Sequence, residues 1–287
     1  MSELNYLNYL NLVGYIINVF VTFGGAPIFG FPDNAELSDK YQTIISPAGL
    51  TFSIWGIIFL AQGIFTIAQM LKDYRAEKLV QEGVSYWYFV ACLFQSAWTF
   101  AFGYEILLLS TIFMFAILVG LVFIVIQQSK IEVEDDKNGI SFYWLLKFPF
   151  SIHCGWILAA FAVNVNVYVE SIGAGAGMQE VCGYLTLVYA VIVAALALFY
   201  LSPPDFTISS VLAWAALGIV LELKDPKDSI KAVFDEAVIN RFYGLALALC
   251  IILAITTAAY GGLRVYNSLT ASKDKDYEGS AMSVEPS

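Results

Sequence analysis

Residues 106–128 read ILLLSTIFMFAILVGLVFIVIQQ and contain no charged side chain. A helix of about 20 mostly apolar residues crosses the hydrocarbon core of a bilayer, so this stretch is long enough to span one. Seven other stretches share its character. They are 4–23, 49–71, 84–104, 148–169, 181–200, 206–221 and 242–262. The sequence therefore predicts an integral, multi-pass membrane protein with eight spans, of which 206–221 is the shortest.

The composition supports an all-α, polytopic transmembrane bundle. Hydrophobic residues make up 59% of the chain and charged residues 13%. Backbone groups in lipid must pair internally, and these stretches are too long for barrel strands, so the spans are expected to be helices. We expect a single membrane domain at 1–265 and a polar, disordered tail at 266–287. The net charge of -10 argues against nucleic acid and against a polybasic lipid-binding patch.

The distribution of basic residues predicts the orientation of the chain. Eight spans place both termini on one side, where nine Lys and Arg residues collect against five on the other. The excess favours cytoplasmic termini. The N-terminus lacks a basic region before its apolar run, so the first span is expected to be a retained anchor. The residues do not indicate which membrane holds the protein.

Reactive side chains are few. The chain has one histidine, His153, and no phosphate-binding loop, so we predict no metal site and no catalytic residues. The eight apolar runs hold no Asp or Glu, which argues against an ion-coupled pump. Glu105 lies in the turn between the third and fourth runs and is expected to be an interfacial carboxylate. Four cysteines without metal-ligand spacing are expected to be free and apolar.

Aromatic and amide side chains are the remaining candidates for a site. Trp55, Trp98 and Trp156 lie inside spans, away from the interfaces where Trp concentrates. Neutral polar side chains lie in the spans as well. They are Gln62, Gln95, His153, Asn164 and Asn166. Because a buried amide is costly unless paired, these groups either bond neighbouring helices to each other or point into a cavity.

Three motifs carry a family resemblance. The second span opens with SPAGLTFSIWG at 46–56, the third contains QSAWTFAF at 95–102, and the fifth reads PFSIHCGW at 149–156, with Asn164 eight residues after Trp156. This arrangement resembles the TspO/MBR family, the translocator protein or tryptophan-rich sensory protein, and within it a longer, divergent branch. The resemblance covers 12–168.

The chain also departs from the family pattern. No Trp precedes Trp55, although the family has a Trp-rich first loop, and its Pro-Pro is reduced to Pro47-Ala48. Gln95 stands where the family has Asn. Tyr168 is followed by Val169 and not by the basic residue of the family's cholesterol motif. The first loop, 24–46, is rich in Gly and Pro and is expected to form turns.

The resemblance implies a five-helix TspO-like unit at 12–168, followed by about three extra C-terminal helices at 180–265. It also implies an aromatic pocket for a porphyrin or a similar flat, hydrophobic ligand. The expected ligand-binding residues are Pro47, Phe52, Trp55, Gln95, Trp98, Phe102, Trp156 and Asn164. The alternative is that these aromatic side chains only pack the bundle.

Three functional hypotheses remain open. The leading one is a TspO-like sensor or transporter that binds a tetrapyrrole, which would be its cofactor or cargo. The second is a non-catalytic structural subunit of a larger membrane complex, in which the extra helices contact partners or further copies of the chain. The third is an enzyme acting on its tetrapyrrole, for which no conventional general base is visible. In each case the protein is also expected to contact the lipid bilayer that surrounds its spans.

Overall fold

The computed structural model describes residues 3–32, 34–131 and 139–282, with the side chains of 25, 26, 34, 35, 139, 140, 265 and 267–282 left undescribed. All regular structure in these ranges is helical, which confirms the all-α prediction. The α-helices are α1 (Tyr6–Phe29), α2 (Asn34–Lys40), α3 (Ile54–Ala68), α4 (Trp87–Gly103), α5 (Leu107–Lys130), α6 (Gly139–Phe142), α7 (Phe148–Ser171), α8 (Ala176–Ala195), α9 (Phe206–Lys224), α10 (Asp228–Val233) and α11 (Glu236–Met282). Residues 283–287 of the expected disordered tail lie outside the described residues, and that tail stays a prediction.

Short irregular helices extend several of these elements. A 3-10 helix at Gly49–Ser53 leads into α3, and π-helical turns at Leu79–Val84 and Tyr143–Lys147 precede α4 and α7. A further π-helical turn, Leu196–Tyr200, continues α8. The membrane-crossing elements are therefore longer than the regular α-helices alone.

Seven helical segments of the described chain are long and apolar enough to cross a membrane. They are Tyr6–Gly24, Gly49–Ala68, Leu107–Lys130, Tyr143–Ser171, Ala176–Tyr200, Phe206–Lys224 and Glu236–Arg264. The eighth predicted span forms α4, whose 17 residues rise about 25 Å, a little less than a bilayer core of about 30 Å. The run at 206–221, expected to be the shortest, is a full span of 19 residues. The placement of both termini on one side depends on α4 crossing the membrane, and it stays a prediction.

The C-terminal helices pack into the bundle and not beside it. Helix α4 lies between α1 and α5, α5 packs on α7, α7 on α9, and α9 on α11. The α9 residue Gly218 accepts a backbone hydrogen bond of 3.0 Å from Ala48 N–H, within the motif that precedes α3. Helix α9 therefore holds the N-terminal motif directly, and the 180–265 segment shares one core with 12–168.

The first loop is more regular than its glycines and prolines suggest. Helix α1 runs through Pro27 to Phe29, so its last turn contains a residue that has no backbone N–H to donate. Gly30 then turns the chain in the left-handed region, with φ of 73°, a conformation that favours glycine. Residues 24–29 belong to α1 and residues 34–40 form α2, so the expectation that 24–46 forms only turns is wrong for both segments.

A side chain caps the start of α9. Asp205 accepts a hydrogen bond of 3.0 Å from the Ile208 N–H and is the N-cap of this helix. The other carboxylate oxygen accepts a bond of 2.5 Å from the Ser151 hydroxyl on α7. Burial raises the pKa of Asp205, and the bonds from Ser151 and from the backbone N–H groups of Ile208 and Thr207 partly offset this rise. The cap therefore also ties α9 to α7.

Candidate functional site

An apolar cavity of about 80 Å³ lies in the half of the bundle nearest the first loop. Its walls come from α2, the 3-10 turn before α3, and helices α3, α4, α5, α7, α8, α9 and α11. The lining residues are Ser38, Ile45, Pro47, Phe52, Trp55, Trp98, Phe102, Met114, Trp156, Ala159, Ala160, Ala162, Val163, Asn164, Val167, Thr186, Leu187, Tyr189, Ala190, Leu212, Ala215, Ala216, Ile219 and Leu249. Most of these side chains are apolar, which suits a hydrophobic guest.

Seven of the eight residues expected to bind a ligand line this one cavity. They are Pro47, Phe52, Trp55, Trp98, Phe102, Trp156 and Asn164. The exception is Gln95, which is not among the lining residues. It is 2% exposed and lies one turn deeper along α4 than Trp98, about 4.5 Å away along the axis. Residues of the three motifs, which lie on separate helices, therefore meet at one cavity. Gln95 lies outside it.

Trp98 is held in place by a polar cluster at the cavity wall. Its indole Nε1 donates a hydrogen bond of 2.8 Å to Asn164 Oδ1. The Asn164 Nδ2 in turn donates to the hydroxyls of Ser110, at 3.0 Å, and Thr111, at 3.1 Å, on α5. The Trp98 ring stacks on Phe102 with a centroid distance of 5.1 Å and an interplanar angle of 13°. Asn164, expected to anchor a ligand, is thus used to position Trp98.

A second group of aromatic side chains joins the motif at the start of α3 to the motif on α7. Trp156 meets Phe52 edge to face, with centroids 5.7 Å apart, and meets Trp55 in the same way at 6.3 Å. The Trp156 indole nitrogen is buried and has no hydrogen-bond partner within the described part of the chain. These contacts join the start of α3 to the middle of α7. They form an aromatic wall of the cavity, in the edge-to-face arrangement that aromatic pairs prefer.

His153 lies behind that wall and does not line the cavity. Its Nδ1 is 2.7 Å from Gln62 Nε2, and its ring contacts the Trp55 ring with centroids 5.7 Å apart. An amide nitrogen only donates, so Nδ1 accepts this bond and the proton resides on Nε2. His153 is therefore a core imidazole, and it is not placed to ligate a metal inside the cavity.

Two ion pairs fasten α2 beside the cavity, where Ser38 forms part of the lining. On one side Lys40 and Tyr41 both contact the Glu105 carboxylate, with Lys40 Nζ 2.5 Å from Glu105 Oε2. Hydrogen bonds from Lys40 and then from Tyr41 lower the pKa of Glu105 below its usual value. Glu105 thus anchors α2, and its position at the membrane interface stays a prediction.

On the other side α2 is joined to the end of α9. Lys227 pairs with Asp39, and its Nζ also lies 3.5 Å from Glu222 Oε1. Glu222 accepts a hydrogen bond of 2.9 Å from Gln42 Nε2 and is 8% exposed. This buried carboxylate lies just beyond the predicted apolar run, which ends at residue 221, whereas α9 continues to Lys224.

The C-terminal helices also contribute to the cavity, which was not predicted from their sequence. Their lining residues are Thr186, Leu187, Tyr189, Ala190, Leu212, Ala215, Ala216, Ile219 and Leu249. Tyr189 differs from the others because its buried hydroxyl has no hydrogen-bond partner among the described residues. Alanine and leucine in an apolar helix do not reveal from sequence whether they face lipid or a cavity. The cavity is therefore lined by both the N-terminal and the C-terminal helices.

Comparison with known proteins places the chain in a family. A family model described as TSPO-like protein matches residues 8–258. The match extends well beyond 12–168 and includes α8, α9 and most of the apolar part of α11. Searches of curated proteins and of solved structures found no match.

Proposed function

The chain belongs to the TSPO-like protein family, and we propose that its cavity binds a flat, hydrophobic ligand of the porphyrin or haem type, as a membrane sensor or transporter. The observation that carries this proposal is the convergence of seven motif residues on one cavity. Indole and phenyl faces stack on flat π-systems, and a small number of polar groups can fix orientation. The protein is a multi-pass membrane protein, so such a ligand can reach it through the lipid phase.

The size of the cavity constrains how this ligand enters. A volume of about 80 Å³ holds on the order of six water molecules, which is less than a whole tetrapyrrole needs. The walls must therefore open for the macrocycle to enter. Segment α2 is the element best suited to move, since it covers the cavity and is held by Lys40–Glu105 and Asp39–Lys227 at its C-terminal end.

Alanine side chains provide a surface on which a planar molecule can lie. Ala159 and Ala160 on α7, Ala190 on α8, and Ala215 on α9 all line the cavity. Small side chains let a guest approach the helix backbones closely. Together with the Trp98–Phe102 stack, these positions supply flat contact area and little hydrogen bonding, which favours a ligand recognised mainly by shape.

Native mass spectrometry of the protein purified in mild detergent tests the proposal. A bound small molecule of tetrapyrrole mass, lost when the cavity is filled by Ala160→Trp, is the expected result. A protein partner at fixed stoichiometry, with no small molecule retained and no porphyrin taken up on addition, would instead favour the structural subunit. The Gly244→Ala variant is the control, because a Cβ at Gly244 meets no atom within 4 Å.

A further inference from the structure

A porphyrin of the haem type carries charged groups that the cavity does not match. Two carboxylates lie on one edge of its flat, apolar ring. The described residues that line the cavity include no charged side chain. An ionised carboxylate is costly to bury without a partner, and the hydrocarbon of the bilayer excludes it for the same reason. The carboxylates of such a ligand must therefore lie at the edge of the cavity, where water is present, while the ring lies inside.

Two lysines lie at the end of the cavity nearest the first loop. Helix α2 lines the cavity there with Ser38 and ends at Lys40. Lys227, which follows α9, pairs with Asp39 on α2. Because Asp39 and Lys40 are adjacent, with Cα atoms about 3.8 Å apart, both lysines meet the C-terminal end of α2.

The acidic partners of these lysines follow the cavity walls along the chain. Phe102 on α4 lines the cavity, and Glu105 comes three residues later, in the turn before α5, where it pairs with Lys40. Ile219 on α9 also lines the cavity, and Glu222 lies about 4.5 Å farther along the same helix axis. We call this charged group the α2 rim. It consists of Asp39, Lys40, Glu105, Glu222 and Lys227.

Two of the three acids at the α2 rim are weakly held. The Asp39 side chain is 60% exposed and the Glu105 side chain is 30% exposed. Their lysine partners are exposed as well, Lys227 by 39% and Lys40 by 55%. Ion pairs this exposed contribute little, because water solvates the separated charges almost as well. Asp39 and Glu105 can therefore give up their lysines to a competing carboxylate at small cost.

The third acid keeps Lys227 beside the cavity. Glu222 is 8% exposed, accepts a hydrogen bond of 2.9 Å from Gln42 Nε2, and lies 3.5 Å from Lys227 Nζ. A buried carboxylate needs such partners, because without them its charge would be uncompensated. An ammonium group has three N–H donors. Lys227 therefore stays next to Glu222 when Asp39 leaves, and it retains donors for another carboxylate.

We propose that Lys40 and Lys227 bind the two carboxylates of the ligand, which replace Glu105 and Asp39 as their partners. This inference rests on the proposed function, because it concerns a porphyrin in the same cavity. The ring lies inside against the tryptophans, and its charged edge faces the C-terminal end of α2. Each lysine exchanges one carboxylate for another, and the two displaced acids become hydrated.

The exchange favours the ligand because its carboxylates are less hydrated than the acids they displace. A carboxylate attached to a ring inside the cavity loses part of its water, and a charge-assisted hydrogen bond is stronger where water is partly excluded. Asp39 and Glu105 regain water when they are displaced. Lys40 and Lys227 are thus specificity-determining residues, which select a carboxylated ring over an uncharged ring of the same shape.

Two porphyrins with the same ring separate this role from binding of the ring itself. Mesoporphyrin has two carboxylates, and its dimethyl ester has none. Each is titrated into the protein in phosphatidylcholine nanodiscs, with empty nanodiscs as the background. Lys40→Met and Lys227→Met should each weaken mesoporphyrin binding about threefold to fivefold and leave binding of the ester nearly unchanged. Lys231→Met is the control, since Lys231 is an exposed lysine on α10, and it should affect neither porphyrin.

A pair of double variants separates direct contact from a change in net charge. Asp39→Asn removes the competing acid and should strengthen mesoporphyrin binding about threefold. Adding Lys227→Met or Lys231→Met to it restores the net charge of the unaltered protein in both cases. Mesoporphyrin should bind about fivefold more tightly to the double variant that keeps Lys227. The dimethyl ester should bind equally to both, which also shows that both are folded.

Three results would contradict the exchange. If Lys40→Met and Lys227→Met weaken both porphyrins equally, the lysines only hold α2 in place. If both porphyrins bind but mesoporphyrin does not distinguish the two double variants, the cavity remains a porphyrin site and the exchange alone is wrong. If neither porphyrin binds the unaltered protein above empty nanodiscs, the proposed function fails and the exchange fails with it.

Discussion

The indole nitrogen of Trp98 donates a hydrogen bond of 2.8 Å to the side-chain oxygen of Asn164. This bond joins α4 to α7 at the cavity wall, and Asn164 is itself bonded to Ser110 and Thr111 on α5. Three helices therefore determine the orientation of one tryptophan. Trp98 and Asn164 were expected to contact a ligand separately. Their hydrogen bond instead couples the two side chains as one unit.

Removing the acceptor should release Trp98. Asn164→Ala leaves the indole N–H and the α5 hydroxyls without their partner, and we expect a loss of about 1 to 3 kcal/mol in the free energy of unfolding. Porphyrin affinity should fall as well, because Trp98 is no longer oriented. Asn166→Ala removes a bond of 2.9 Å to Thr186 on α8. It is the control, and it should lower stability without a comparable effect on affinity. Equal affinity in both variants would contradict the positioning role of Asn164.

The close approach of α9 to the first motif gives a second prediction. A Cβ added to Gly218 would lie 2.3 Å from Thr51 Oγ1 and 2.8 Å from Pro47 Cβ. Gly218→Ala should therefore destabilise the protein by about 1 to 3 kcal/mol through overpacking. Gly244→Ala, with no atom within 4 Å of its Cβ, should be neutral or stabilising by up to about 1 kcal/mol. Thermal unfolding in the same detergent compares the two, and equal melting temperatures would show that α9 can move away from the motif.

The contact between Glu105 and α2 predicts a dependence on acid pH. The pKa of Glu105 is lowered from 4.5 by Lys40 and Tyr41, so its contribution to stability is complete above about pH 4.5 and is lost as the pH falls through the lowered value. Glu105→Gln should have a lower melting temperature than the unaltered protein at pH 7. The difference between the two should shrink below pH 4.5. A difference that is constant over this range would mean that the Glu105 charge does not stabilise α2.

The pKa of Asp205 is shifted in the opposite direction to that of Glu105. Its pKa is raised from 3.8 by burial, so the carboxyl group favours the folded state most at low pH, and this contribution is lost as the pH rises through the raised value. Asp205→Asn keeps the cap and removes the buried charge, and it should match or exceed the stability of the unaltered protein at pH 7. Asp205→Ala loses the cap and should cost about 1 kcal/mol. The order of the three melting temperatures at pH 7 checks this, and a less stable Asn variant than Ala variant would contradict it.

The sequence predicted the helices and most of the motif geometry for a physical reason. Long uncharged runs have one stable form in lipid, and the spacing from Trp156 to Asn164 places both on α7 at the cavity. The interpretation of the tryptophans as residues facing a shared space agrees with the lining of the cavity. Their role toward a ligand stays a prediction.

Other features depend on contacts between distant parts of the chain. Ala215 and Leu212 line the cavity, but their sequence is that of any lipid-facing turn. Helix α2 lies in a Gly- and Pro-rich loop, where Lys40 pairs with Glu105 and Asp39 pairs with Lys227. Local helix propensity gives no information about these distant partners, so neither α2 nor the C-terminal wall of the cavity could be predicted from sequence.

Binding of metal-free protoporphyrin to the protein in nanodiscs, followed by porphyrin emission, tests the central claim most directly. The unaltered protein should bind above the level of empty nanodiscs. Trp98→Ala should weaken binding about fivefold or more, while Trp144→Ala, an exposed tryptophan outside the cavity, should not. His153→Ala should have little effect with either metal-free or iron porphyrin. If the unaltered protein binds no better than empty nanodiscs, or if Trp98→Ala and Trp144→Ala bind equally well, the cavity is not a tetrapyrrole site.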